Sequence, residues 1–170
     1  MRKIGRFIFT ILLACSLSLI FSSTTIAEGY QTEIEYIDSK MPDSQRVLIR
    51  QYAEEYHISE EILQSLIFCE SSYQMSAVNP TSGCYGICQI NPQIWGGDYD
   101  TEEKQIAKAC EILMGHLEES QDMAYSLAAY NGQSNAWSDY LNGTNTEDEF
   151  VSKVFRIAYE LEELHGKHNY

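Results

Sequence analysis

The stretch Ile67-Phe68-Cys69-Glu70-Ser71-Ser72-Tyr73, followed nineteen positions after its glutamate by Gln89 in Tyr85-Gly86-Ile87-Cys88-Gln89-Ile90-Asn91, decides how the chain is read. Ile62, Leu66 and Tyr73 recur at helical spacing, and Glu70 sits on the same stripe, eight residues after Ile62 and four after Leu66. The spacing predicts a helix whose Glu70 points inward, toward a core or a cleft. Withdrawing a carboxylate from water disfavours its charged form and raises its pKa toward neutrality, which suits a general acid. A buried glutamate also serves as half of a structural ion pair with a lysine or arginine, and spacing alone leaves both readings open.

Working outward, the 170 residues suffice for one domain with a real core and are too few to expect two. A net charge of -14 argues against nucleic acid as partner, because phosphate binding needs a basic surface. The exception to the acidity is the extreme N-terminus. Arg2, Lys3 and Arg6 precede an apolar run from Phe7 to Phe21, and Ser22 to Ala27 are mostly small residues. This is the pattern of a signal peptide over residues 1–27 with cleavage after Ala27, so export to the cell envelope or beyond is expected. The apolar run, about 15 residues, is short of the roughly 20 needed to span a bilayer, so no stable membrane insertion is expected after cleavage. Leader removal takes away three basic and no acidic residues, which leaves a net charge of -17. Such a chain will not cling electrostatically to an anionic surface, and if its target is anionic, recognition must come from hydrogen bonds and stacking in a cleft.

Residues 28–42 lack a long periodic pattern and read as an extended arm, with the domain proper over residues 43–170. Asp43 or Ser44 can cap a helix through about Tyr56, with Val47, Ile49, Tyr52 and Ala53 available for burial. His57 ends it, and Ser59 caps the helix that carries Glu70 to about Tyr73. Asn79-Pro80 and Ser82-Gly83 mark a loop. Alternation in Cys84 to Asn91 fits a short strand or irregular extended segment, with Tyr85, Ile87, Gln89 and Asn91 on one face. Gly86 lets the backbone approach a neighbour closely. Pro92 to Tyr99 is loop. Asp100 with Glu103 opens a helix to about Glu119, with Ile106, Cys110, Leu113 and Leu117 inward. Asp122 opens another, ended by Gly132 after Tyr130-Asn131. In the last helix Thr146 and Glu149 form a capping box, Phe150, Val154, Ile157, Leu161 and Leu164 make the stripe, and Gly166 is the stop.

Four of these stretches, taken in order, carry a resemblance: Glu70-Ser71, Ala77-Val78-Asn79-Pro80, Gly83 to Ile90, and Ala128-Ala129-Tyr130-Asn131-Gly132. They resemble the successive motifs of the soluble-lytic-transglycosylase domain, a branch of the lysozyme superfamily, over about Ile58 to Asn135. The resemblance implies a mainly α, lysozyme-like single domain with at most a small β element near the cleft. It implies peptidoglycan glycan strands as partner, no cofactor, and Glu70 as catalytic acid at the bond between N-acetylmuramic acid (MurNAc) and N-acetylglucosamine (GlcNAc), then base. Substrate contacts are implied for Ser71, Tyr85, Gly86, Gln89, Asn91, Tyr130 and Asn131. Where the family often reads Tyr-Asn-Ala-Gly, this chain has Tyr130-Asn131-Gly132, one residue shorter, and Cys88 stands where the family has a small or apolar residue.

The choice of second step turns on a missing carboxylate. Lysozyme, the worked example of this chemistry, sets an ionised aspartate across the cleft from its buried glutamate. In the resemblance that aspartate precedes the Tyr-Gly pair, and here the position is Cys84. No Asp or Glu occurs between Ser71 and Asn91. Attack by the substrate's own C6 hydroxyl, giving a 1,6-anhydro end, is therefore expected over hydrolysis. Asp98 and Asp100, the nearby candidates for a hydrolytic base, read as loop and cap residues. A secreted hydrolytic lysozyme and a non-catalytic wall-binding or assembly module that keeps the fold are the alternatives.

After leader removal Cys69, Cys84, Cys88 and Cys110 remain, which allows three complete pairings. If residues 84–88 are extended, Cys84 and Cys88 lie about 13 Å apart, beyond disulfide reach, so a Cys88–Cys110 bond is expected. Metal is not expected, because Cys84 and Cys88 lack a second close ligand pair and His57, His116, His165 and His168 lie at helix ends or on polar faces. Trp95, Trp137 and Tyr85 are candidates for stacking on sugar rings.

Overall fold

The structure is a computed structural model and describes residues 33–132, 142 and 149–166. The chain divides into two compact units, Met1–Tyr36 and Ile37–Tyr170. Residues 33–36 are the described part of the first and are helical. All further statements concern the second. Residues 37–40 are helical too, so the extended arm expected over 28–42 is corrected there. Ile37 and Met41, four positions apart, are both buried, and that spacing is served by a helix.

Helix α1, Asp43–Tyr56, begins after Pro42, whose backbone is extended, and no side chain caps it. Asp43 and Ser44, the expected caps, are freed for other contacts: the Ser44 hydroxyl and the Gln45 amide donate to the Glu102 carboxylate at 3.1 and 2.7 Å. Ile49 and Ala53 are buried as expected, whereas Val47 is 65% exposed. Helix α2, Glu60–Ser71, is capped by Ser59, whose hydroxyl accepts from the Ile62 N–H at 3.3 Å. Leu63, Leu66 and Ile67 are wholly buried and span more than one face, so α2 is the central helix. Each such side chain contributes roughly 1.5–3 kcal/mol through removal from water. α2 stops before Tyr73 because Ser72 and Tyr73 take left-handed φ angles of 53° and 67°, which fold the Tyr73 ring back into the core.

Cys84 to Asn91 is not a strand. Tyr85 makes isolated bridges to Val78 and Ile90, and residues 86–89 form a turn between its two pairings with Ile90. Positive φ at Gly86 (81°) and Gln89 (50°) curls the segment, so the expected common face of Tyr85, Ile87, Gln89 and Asn91 does not exist. Part of the expected loop is a one-turn helix α3, Pro92–Trp95, with Asn91 accepting from the Gln93 N–H at its start. Helix α4, Glu102–Ser120, is capped by Thr101 rather than Asp100. Helix α5, Met123–Tyr130, is capped by Asp122, which accepts from Ala124 and Tyr125. Helix α6, Glu149–Leu164, buries Val151, Val154, Ile157, Ala158 and Leu161. The expected Thr146 cap and Trp137 lie outside the described residues.

α2 packs most extensively on α6 and also on α1, while α4 lies against α1 and α5. The 84–91 segment crosses between these layers. The fold is mainly helical, and no described helix is long and apolar enough to cross a membrane.

Candidate active site

Glu70 lies in the last turn of α2, on the wall of a cleft of about 350 Å³. The 84–91 segment contributes Cys84, Gln89 and Asn91, α3 contributes Ile94 and Trp95, and the end of α5 contributes Tyr130 with Asn131. The α4 residue Ile112 closes the floor. Burial pushes the Glu70 carboxyl up to about 7. Among the described residues no hydrogen bond or ion pair engages its carboxylate, and Glu70 is the sole carboxylate among the lining side chains. Of the two readings left open by spacing, the ion pair is absent among the described residues.

Tyr130 points its hydroxyl away from solvent and donates to the Cys88 carbonyl at 2.6 Å. Burial, followed by the nearby Cys88 and Glu70 groups, holds that hydroxyl well above its ordinary pKa. With its proton committed to Cys88, the Tyr130 oxygen keeps lone pairs to accept a hydrogen bond. The Gln89 amide donates to the carbonyls of Gly86 (2.9 Å) and Ala77 (3.2 Å), so the residue at the strained position ties the turn to the chain that precedes it. Asn91 is held by donation to the Ser82 carbonyl at 2.7 Å.

Three expected contact residues do not line the cleft. The Ser71 hydroxyl lies 2.8 Å from the Ile87 carbonyl and braces the segment against α2. The Tyr85 hydroxyl accepts from the Tyr99 N–H at 3.1 Å. Gly86 is buried against Gln105, where a Cβ would meet the amide nitrogen at 2.4 Å. These three residues support the wall from behind. Sequence reasoning missed the lining residues Asn79, Ser82, Ile94 and Ile112, and it missed Gln105 altogether. Gln105 is wholly buried among the apolar inward positions of α4, and that interruption of the stripe was the available signal.

The cysteines 69, 84, 88 and 110 are free thiols, so the expected Cys88–Cys110 bond is not formed in the structure. The curl of residues 84–88 removes the extended geometry on which that pairing rested. Burial pushes Cys69 up to about 11 and Cys110 to about 12, and Cys88 well above its usual range, which keeps these thiols protonated and poorly nucleophilic. Asp98 and Asp100 are both exposed and bound to Lys104 at 3.2 and 2.7 Å, away from the cleft lining. Among the described residues no group of His, Cys, Asp and Glu is arranged to hold a metal ion.

Residues 47–152 match the family profile described as Transglycosylase SLT domain. The chain belongs to the transglycosylase SLT family. A search of curated proteins finds no match. The matched span of this SLT-domain protein runs from α1 into α6 and holds every element that lines the cleft. SLT membership supports a lysozyme-like, peptidoglycan-directed role for the cleft.

Proposed function

We propose that this SLT-domain protein is an exported peptidoglycan lytic transglycosylase that cleaves the MurNAc–GlcNAc β-1,4 bond and leaves 1,6-anhydro-MurNAc ends. The observation that carries the reading is the buried Glu70 carboxyl, raised to about 7 and lining the cleft with no second carboxylate beside it. At neutral pH a large fraction of it is protonated. Glu70 donates its proton to the glycosidic oxygen as the C1–O bond breaks, and GlcNAc leaves with a 4-hydroxyl. The positive charge that develops at C1 is met by the newly formed Glu70 carboxylate. The C6 hydroxyl oxygen of the same MurNAc then bonds to C1, and its proton passes to Glu70, which regenerates the acid. No water is consumed. Gln89, Asn91, Tyr130 and Asn131 are the substrate-binding side chains in this reading, with Ser71, Tyr85 and Gly86 supporting them.

Hydrolysis would need a base to activate water. By the resemblance Cys84 stands where lysozyme has its aspartate, Cys84 lines the cleft, and Asp98 and Asp100 are held by Lys104, which supports the anhydro route. Export rests on the leader pattern of residues 1–27. The leader boundary after residue 27 is part of this proposal. The test is Glu70→Gln with purified peptidoglycan: glycan cleavage is expected to fall by about 10²–10⁴-fold while binding persists. Unchanged cleavage by the variant would refute the role of Glu70. Binding without cleavage by the unaltered protein would favour a wall-binding module.

A further inference from the structure

Gln105 is a wholly buried polar side chain whose three hydrogen bonds all go to backbone. Its Oε1 accepts from the Cys88 N–H at 3.2 Å, and its Nε2 donates to the carbonyls of Tyr85 (3.1 Å) and Tyr99 (3.0 Å). Gly86 lies directly on the amide, with φ 81° and no room for a Cβ. The same short segment passes two bonds onward to the site. The Ile87 carbonyl receives Ser71, the neighbour of Glu70, and the Cys88 carbonyl receives the Tyr130 hydroxyl. The Ile87–Cys88 peptide is therefore held on its N–H side by Gln105 of α4 and on its carbonyl side by Ser71 of α2, and the next peptide, Cys88–Gln89, offers its carbonyl to Tyr130 of α5.

We propose that Gln105 is a positioning residue for the Glu70 site, fixing the Ile87–Cys88 peptide so that the carbonyl of the next peptide stays on the Tyr130 hydroxyl and the cleft wall beside the half-buried acid keeps its shape. The inference rests on the proposed catalytic role of Glu70 but acts through geometry that no sequence motif announced. Without the Gln105 acceptor the Ile87–Cys88 peptide keeps the Ser71 contact alone, the Cys88 carbonyl of the next peptide shifts off Tyr130, and the wall beside Glu70 opens further to water. Glu70 then returns toward the ordinary carboxylate range, because burial is what raised it. The groups that face Glu70 are Tyr130 on α5 and Cys88 with Cys84 on the segment. From α6, Lys153 and Arg156 act on the adjacent Cys69. Burial keeps the Cys88 and Cys69 thiols protonated, and none of these groups replaces burial as the cause of the shift.

The test is a double-mutant cycle of Gln105→Met and Tyr130→Phe, read with soluble uncrosslinked glycan strands. Gln105→Met should lower kcat about tenfold with KM changed by less than about threefold, and should have little further effect in the Tyr130→Phe background. The alkaline limb of its pH profile should move down by about one unit. A parallel NMR titration of the Glu70 carboxyl should show the same fall without requiring turnover. If Gln105→Met does not fold, Gln105→Asn takes its place, since it keeps an amide but, one methylene shorter, withdraws the acceptor from the Cys88 N–H. Additive effects with an unmoved Glu70 titration would overturn the proposal and leave Gln105 a packing residue. An unaltered protein that cleaves nothing would refute the catalytic reading instead, while the NMR titration would still decide the role of Gln105.

Discussion

Replacing Glu70 by glutamine should make the protein more stable, and only above mildly acidic pH. In the folded chain the carboxyl is raised from 4.5 to about 7, so the folded state binds its proton more tightly than the unfolded state does. Below pH 4.5 both states carry a neutral Glu70 and the burial costs little. As pH rises from 4.5 to about 7 the unfolded chain gains ionisation freely while the folded chain resists it, and stability is lost across that window. The full shift corresponds to about 3 kcal/mol, and 1–3 kcal/mol is the fair range for a side chain that solvent still reaches from the cleft. Glutamine has the same shape and never ionises. Thermal or urea denaturation of Glu70→Gln should therefore match the unaltered protein near pH 4 and exceed it by about 1–3 kcal/mol at pH 8, several degrees in Tm. A gain of equal size at both pH values would mean that packing, not ionisation, separates the two. Lower stability of Glu70→Gln at pH 8 would mean that the carboxylate has a partner, and would refute the account of its raised pKa.

Tyr130→Phe removes the donor to the Cys88 carbonyl and should cost about 1–3 kcal/mol in urea denaturation together with a fall in kcat. Retained full turnover would separate Tyr130 from the chemistry. Gly86→Ala forces a Cβ into the Gln105 amide at a left-handed φ of 81°, and should destabilise by about 1–3 kcal/mol by the same assay. Asp98→Asn and Asp100→Asn, singly or together, should leave the rate and the product unchanged within about twofold, because both side chains are exposed on Lys104. A large loss in either variant, measured by release of soluble glycan, would restore a hydrolytic base as a candidate.

The inward Glu70 was legible because α2 obeys a helical period that the flanking residues cannot disguise, and Ser59 and Asp122 cap where local chemistry says they should. The 84–91 segment was misread for a physical reason. Alternation of apolar and polar residues describes a strand only if every φ is negative, and Gln89 at 50° takes a conformation that its sequence does not advertise. Tertiary ties from Gln89 to Ala77 and Gly86 stabilise it there. The cap of α4 slipped by one residue because Lys104, available only once the helix forms, draws Asp100 outward and leaves Thr101 to cap. Ser71, Tyr85 and Gly86 share a motif with cleft residues but face behind the wall, a distinction that depends on which way the turn curls. Gln105 showed in the sequence as a break in the α4 apolar stripe, but its role did not, since its partners are seventeen and twenty positions upstream in sequence as well as six.

The central claim is that Glu70 serves as both acid and base with the substrate's own C6 hydroxyl as nucleophile. Digestion of purified glycan strands in ¹⁸O-enriched water, followed by mass spectrometry of the released muropeptides, tests it most directly. The account predicts 1,6-anhydro-MurNAc ends that carry no label, all lost with Glu70→Gln; reducing ends labelled with ¹⁸O would contradict it and make the protein a hydrolase.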